Sequence, residues 1–128
     1  MNVAFFCVLL AGLMPFLWTA VAKVAAGRYD NRDPRGWQAK LEGMPKRAHA
    51  AHLNSFEAFP LFAAGVLAAL HVGVPQGRVD ALAVAFVVLR LAYGGAYLAD
   101  IHLLRSALWF GGIGCSFALL FQAAFSAT

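Results

Sequence analysis

The sequence predicts an all-α integral membrane protein, an up-down bundle of four transmembrane helices with almost no soluble part. Three observations carry this reading. Of 128 residues, 62% are hydrophobic and only 12% are charged. Mean hydropathy is +0.70. The apolar residues fall into four runs, each long enough to cross a bilayer. A soluble domain carries about 25% charged residues, so this chain has too little polar surface for a globule in water. A hydrocarbon core about 30 Å thick needs roughly 20 apolar residues at 1.5 Å of rise each.

The first span is placed at residues 2–25. No Lys or Arg precedes Lys23. A secretory leader would carry a basic segment before its apolar core, and that core would be about 7–15 residues long. The run is therefore read as a retained helix, with Pro15 tolerated inside it as membrane helices allow. The second span is placed at 48–72, the third at 80–99 and the fourth at 104–125, giving one domain over 1–128. Residues 27–46 form a polar loop whose Asp30-Asn31-Arg32-Asp33-Pro34-Arg35-Gly36 stretch is rich in turn formers. The other two connections are short, and short connections make neighbouring helices antiparallel.

The net charge is +4, but the cations do not cover a soluble face, and nucleic acid is excluded as a partner. They cluster at Lys23, Arg28, Arg32, Arg35, Lys40, Lys46 and Arg47, with Arg78 alone in the second connection and Arg105 near the third. Loops rich in Lys and Arg stay on the cytoplasmic side. Loops one and three are thus expected in the cytoplasm and both termini on the opposite side. Cys7 and Cys115 each lie in an apolar run and read as small core residues. No metal spacing links them, and His49 and His52 have no third ligand near them in sequence, so no metal site is expected. Trp18, Trp37 and Trp109 read as interfacial residues. Gly111, Gly112 and Gly114 read as points of close helix approach.

Polar residues inside the spans are costly in hydrocarbon and point to a site. Arg47, Asn54 and Glu57 fall within about 80° of one another on the second helix, at about 100° per residue. Arg90, Tyr93, Tyr97 and Asp100 share one face of the third. Glu57 and Arg90 each lie roughly 15 Å deep, so an ion pair is expected between them. Together these faces suggest a polar cleft open toward Arg47 and Arg105, suited to an amphipathic anion.

These residues carry a resemblance. Arg47-Ala48-His49-Ala50-Ala51-His52-Leu53-Asn54-Ser55-Phe56-Glu57-Ala58-Phe59-Pro60-Leu61-Phe62 resembles the helix-two signature of the MAPEG family, the membrane-associated proteins in eicosanoid and glutathione metabolism. Arg90-Leu91-Ala92-Tyr93, Tyr97 and Arg105-Ser106-Ala107-Leu108-Trp109 resemble its third helix and the opening of its fourth. The likeness covers most of the chain and is to bacterial-type members, which implies the inner membrane. It also implies a homotrimer among membrane lipids, with glutathione as co-substrate between subunits and a small hydrophobic substrate. By family pattern Asn54, Glu57, Arg90, Tyr93 and Tyr97 line the glutathione site, and Arg47 supplies further charge. Arg105 stabilises the thiolate, with Tyr97 or Ser106 donating a hydrogen bond. Enzymes of the family often carry an arginine four residues before the motif Asn, and here that residue is Ala50. Two activities follow as alternatives. One is a glutathione transferase or peroxidase acting on hydrophobic electrophiles. The other is a non-enzymatic protein that binds lipid or presents it to a partner.

Overall fold

The computed structural model describes residues 1–126. It is helical throughout, with α1 at Val3–Ala26, α2 at Pro34–Ala39, α3 at Gly43–His71, α4 at Gln76–Leu98 and α5 at His102–Ala124. Helices α1, α3, α4 and α5 are each long and apolar enough to cross a membrane. The expected spans are all present. Helix α3 begins five residues before the expected boundary, because helical winding continues past the apolar run into the polar Gly43–Arg47 turn.

The first loop departs from the expected irregular turn by holding α2. Its start is local chemistry. Asp33 caps the helix by accepting from the Gly36 N–H at 3.0 Å, and Pro34 occupies the first helical position, where a missing N–H costs nothing. Trp37 on α2 meets Tyr29 edge-on at 5.0 Å, and the Lys23 ammonium lies 4.0 Å from the Tyr29 ring centre. This packing folds the loop back onto the end of α1.

Each of α1/α3, α3/α4 and α4/α5 is an antiparallel pair. Hydrogen bonds and close contacts fix this register: His52 meets Pro15, Arg47 meets Leu98, and Arg105 meets Tyr97. Helices α1 and α4 run parallel, since Ala4 meets Asp80 and Trp18 meets Gly94. One end of the bundle therefore gathers the end of α1, the start of α3, the end of α4 and the start of α5.

Most of the inward-facing residues are small, and large apolar ones crowd the outer surface. Helix α1 buries Ala4, Cys7, Ala11, Met14, Trp18 and Ala22, a spacing of three and four residues that marks one helical stripe. It exposes Phe5, Phe6, Leu9, Leu13, Phe16 and Leu17. Lipid tails are as apolar as Leu, so burying Leu gains little in a membrane, and close van der Waals packing of small residues holds helices together instead. At the bundle centre Phe62 and Phe86 stack at 3.9 Å, beside Leu119 and Val66, which have no exposed surface. Both cysteines are free and buried, as core residues should be.

Among the described residues, three side chains bond to backbone groups of a neighbouring helix. Asp80 accepts from the Ala4 N–H at 3.0 Å and from the Gln76 amide at 2.7 Å, so a side chain of α4 satisfies an unpaired N–H at the start of α1. His52 Nδ1 lies 2.7 Å from the Pro15 carbonyl. A carbonyl only accepts, so this nitrogen carries the proton. The third contact, from Arg47, belongs with the candidate site.

Gly94 is where a side chain is least tolerated. A Cβ there would overlap the Trp18 ring, whereas one on Gly95 would meet nothing within 4 Å. Gly94→Ala should therefore destabilise the protein by about 1–3 kcal/mol, since overpacking outweighs the gain in helix propensity. Gly95→Ala should leave stability unchanged or raise it by up to about 1 kcal/mol. Thermal unfolding of both variants in detergent, followed by circular dichroism, checks the pair.

Candidate functional site

The site lies where α3, α4 and α5 meet, toward the loop-bearing end of the bundle. Helix α4 supplies its wall. Arg90 is buried with 2% of its surface exposed, as is Tyr93 with 4%. The Arg90 guanidinium sits over the Tyr93 ring at 4.1 Å. Tyr93 meets Tyr97 edge-on at 5.7 Å, and the Arg105 guanidinium sits over the Tyr97 ring at 4.4 Å. Two arginines thus bracket two tyrosines in one ladder that climbs α4 and crosses to α5. The spacing of three and four residues along α4 aligns the first three side chains. Ring faces attract cations, and more strongly where water is excluded.

Beside the ladder lies a cavity of about 240 Å³ lined by Asn54, Tyr93, Tyr97, Arg105, Ser106, Trp109 and Phe110. Five residues predicted for the site are brought together here: Asn54, Tyr93, Tyr97, Arg105 and Ser106. A smaller cavity of about 100 Å³ adjoins it, shares Asn54 and Trp109, and is lined also by Glu57 and Arg90. Gly112 makes room for Arg90, since a Cβ there would come within 3.4 Å of Arg90 Cδ.

The expected ion pair between Glu57 and Arg90 is not formed. Glu57 is exposed on the outer surface of α3 and accepts from the Asn54 side-chain amide at 3.2 Å. Asn54 is one turn away on the same helix, so this bond forms without spanning the gap to α4. Arg90 instead stacks on Tyr93, and its Nη2 has no hydrogen-bond partner among protein atoms.

Arg47 also differs in placement from the expected cleft. Its Nε and Nη2 both donate to the Leu98 carbonyl, at 3.3 and 3.1 Å. Leu98 is the last residue of α4, where carbonyls lack helical partners and the helix dipole favours a cation. The side chain is committed to closing α4 rather than lining either cavity. His49 and His52 stack at 5.6 Å, and no group of three metal-binding side chains exists among the described residues.

The model of the MAPEG family matches residues 3–125, nearly the whole chain. The protein belongs to the MAPEG family. No curated protein and no solved structure matches the chain. The family includes glutathione transferases and other members, and its members commonly use glutathione.

Within this MAPEG fold, sequence reasoning missed several lining residues, Trp109, Phe110 and Ser116 among them. Trp109 was read as an interfacial anchor, yet it lies four residues after Arg105 and so on the same face of α5. Phe110 bears the same relation to Ser106, and Ser116 lies eleven residues after Arg105. That helical spacing was the available signal. Two fixed cations with hydroxyl and amide groups beside an apolar wall make a MAPEG site suited to an anion with an apolar end. The capping role of Arg47 has its own consequence. Arg47→Ala should cost about 1–2 kcal/mol of stability, the worth of a cation at a partly buried helix terminus. Arg47→Lys should recover part of it. Chemical unfolding in detergent measures both.

Proposed function

We propose that this MAPEG protein is a membrane thiol transferase or peroxidase that uses glutathione against small hydrophobic electrophiles. The observation carrying the reading is Arg105. It is a permanent cation held on the Tyr97 ring at 4.4 Å, at the wall of a cavity that also offers Asn54, Tyr93 and Ser106. A free thiol has a pKa of about 8.5, and a neighbouring cation favours its anion. Arginine supplies that charge without giving up a proton. The Asn54 amide and the hydroxyls of Tyr93, Tyr97 and Ser106 supply hydrogen bonds for peptide groups of a tripeptide. Glu57 and Arg90 add charge of both signs at the deeper end.

The reaction needs little else from the protein. The thiolate attacks an electrophilic carbon, a carbon–sulfur bond forms, and the leaving group departs with the bonding pair. With a hydroperoxide, the thiolate takes the terminal oxygen and an alcohol leaves. A second thiol then reduces the sulfenic acid to a disulfide and water. The apolar co-substrate is concentrated by the lipid around α5, whose outer face exposes Phe110, Phe117 and Phe121.

Glu57 bears on the assembly. A carboxylate exposed on the side of a membrane helix is costly in lipid, so covering by a second copy of the chain is favoured. This supports self-association of the chain, and the family resemblance makes the assembly a homotrimer with the site between subunits. The Lys- and Arg-rich loop supports an inner-membrane orientation with that end in the cytoplasm.

One observation favours a non-enzymatic lipid-binding or partner-presenting role instead. Ala50 stands where enzymes of the family often carry an arginine, and Arg47, the nearest substitute, is engaged by the Leu98 carbonyl. The two readings separate on purified protein in detergent. Thiolate absorbance on adding glutathione, with conjugation to a chromogenic aryl halide, supports the enzyme. Arg105→Ala should abolish the thiolate signal and lower turnover at least about 100-fold. Tyr97→Phe keeps the ring under Arg105, so Tyr97→Leu should lose about tenfold more activity than Tyr97→Phe. Ligand binding by a folded protein with no rate above the uncatalysed reaction would establish the binding role.

A further inference from the structure

The first loop builds a separate cavity at the loop-bearing end of the bundle. It measures about 340 Å³, and its walls include Ala26, Arg28, Trp37, Lys40, Leu41 and Glu42. That volume falls within the range of small-molecule sites, about 300–1,000 Å³. None of the residues given to the thiol reaction lines it. The cavity exists because the chain turns back sharply after α1. Gly27 has φ +64° and Arg28 φ +51°, a region uncommon for a residue with a side chain. The turn returns α2 to the bundle, where Leu41 is buried with Ala22 and Ala48. Arg28 before the fold-back and Lys40 after it then line one space.

Charge and depth set what this space can hold. Residues 23–47 carry seven Lys or Arg against Asp30, Asp33 and Glu42, a surplus of four that is the whole net charge of the chain. Asp30 and Asp33 accept from the backbone N–H groups of Arg32 and Gly36, and neither lines the cavity. The wall itself sets Arg28 and Lys40 against Glu42, one positive charge in surplus. Ala26 is both the last residue of α1 and part of the wall, so the cavity begins where a membrane-crossing helix ends. The apolar surface of α1 runs up to Val24, which is 87% exposed. Trp37 is a residue type favoured at headgroup depth.

We propose that this cavity binds the headgroup of an anionic phospholipid in the leaflet on that side, through a phosphodiester carrying one negative charge. Arg28 offers a fork of donors to the phosphate oxygens, and Lys40 offers a point charge. Glu42 only accepts, so it favours a headgroup with hydroxyl donors beyond the phosphate, such as glycerol. Trp37 and Leu41 give the ester region an apolar wall, and the acyl chains continue along the lipid-facing side of α1. A choline headgroup cancels its own phosphate charge and has no donor for Glu42. An ethanolamine headgroup has the donor but leaves the wall's surplus charge unmatched. Orienting a membrane protein requires cations in a loop, but it does not require them to line a cavity. The proposal is independent of the thiol reaction and survives its failure.

Native mass spectrometry of the intact protein in neutral detergent tests this, with phosphatidylglycerol, phosphatidylethanolamine and phosphatidylcholine of identical acyl chains. Phosphatidylglycerol should be retained at least about tenfold over either zwitterionic lipid. Each cation at an anionic lipid surface is worth about fivefold in binding, so Arg28→Gln with Lys40→Gln should bring the preference close to parity. Arg32→Gln with Arg35→Gln removes the same charge from the same loop but away from the cavity, and should leave most of the preference in place. All four side chains are exposed, so neither pair of substitutions opens the core. Equal loss in both double variants would overturn the proposal, because the loop charge would then act diffusely. Retention of phosphatidylethanolamine or phosphatidylcholine equal to that of phosphatidylglycerol would overturn it as well. Displacement of the bound lipid by an equal concentration of glycerophosphoglycerol, the same headgroup without acyl chains, would overturn the lipid assignment and mark a soluble phosphodiester as the ligand.

Discussion

In a bilayer every backbone polar group must find its partner inside the protein, and the rest of this structure depends on that constraint. It explains why so few side chains carry the interhelical order. Asp80 closes the start of α1, His52 joins α3 to the Pro15 carbonyl, and Arg47 closes the end of α4. Each satisfies a backbone group that its own helix leaves open or shared. Each also fixes one helix pair in register, so α1, α3 and α4 are aligned by three contacts spread along the bundle. Hydrophobic matching alone could not do this, because lipid offers the helices the same apolar surroundings that they offer one another.

The candidate site grows out of the same arrangement. Small residues let α4 and α5 approach, and Gly112 leaves space for the Arg90 stem. The aromatic rings of Tyr93 and Tyr97 then give two guanidinium groups a resting surface in a region with few carboxylates. The ladder keeps cations inside the protein without neutralising them. A cation stacked on a ring retains donors for an incoming anion, whereas one locked in a bidentate ion pair does not. This distinguishes Arg105, held by Tyr97, from Arg47, two of whose donors are engaged by the Leu98 carbonyl. The family match carries the fold and the kinship with glutathione enzymes, and this difference between arginines is what the geometry adds.

Much of this was legible in the sequence. Apolar run length placed all four spans, because bilayer thickness sets helix length. The spacing of Asn54, Tyr93 and Tyr97 gave their shared faces, and the cavity does contain them with Arg105 and Ser106. Spacing gives a direction around one helix axis but not the rotation of that helix against its neighbour. That is why Glu57 and Arg90, though they line one cavity, do not pair. Arg47 was misjudged for a related reason, since the open carbonyl at Leu98 becomes its neighbour only once α3 and α4 have packed. Helix α2 carried a readable signal, a capping Asp followed by Pro, that the turn-rich composition around it obscured. Ser116 gave no signal beyond its place on the Arg105 face, because a lone serine in a membrane helix can equally bond to its own backbone.

The Asp80 contact bears on how the protein is made. Ala4 and Asp80 are 76 positions apart in the chain. During synthesis α1 leaves the ribosome well before α4, so the N-terminal turn of α1 first meets the membrane with that N–H open to interfacial water. It is closed only when the third span has entered and swung alongside in parallel. A tie that forms late therefore secures a span that inserts early. Until α4 arrives, the His52 contact with the Pro15 carbonyl is the polar tie that sets the depth of α1.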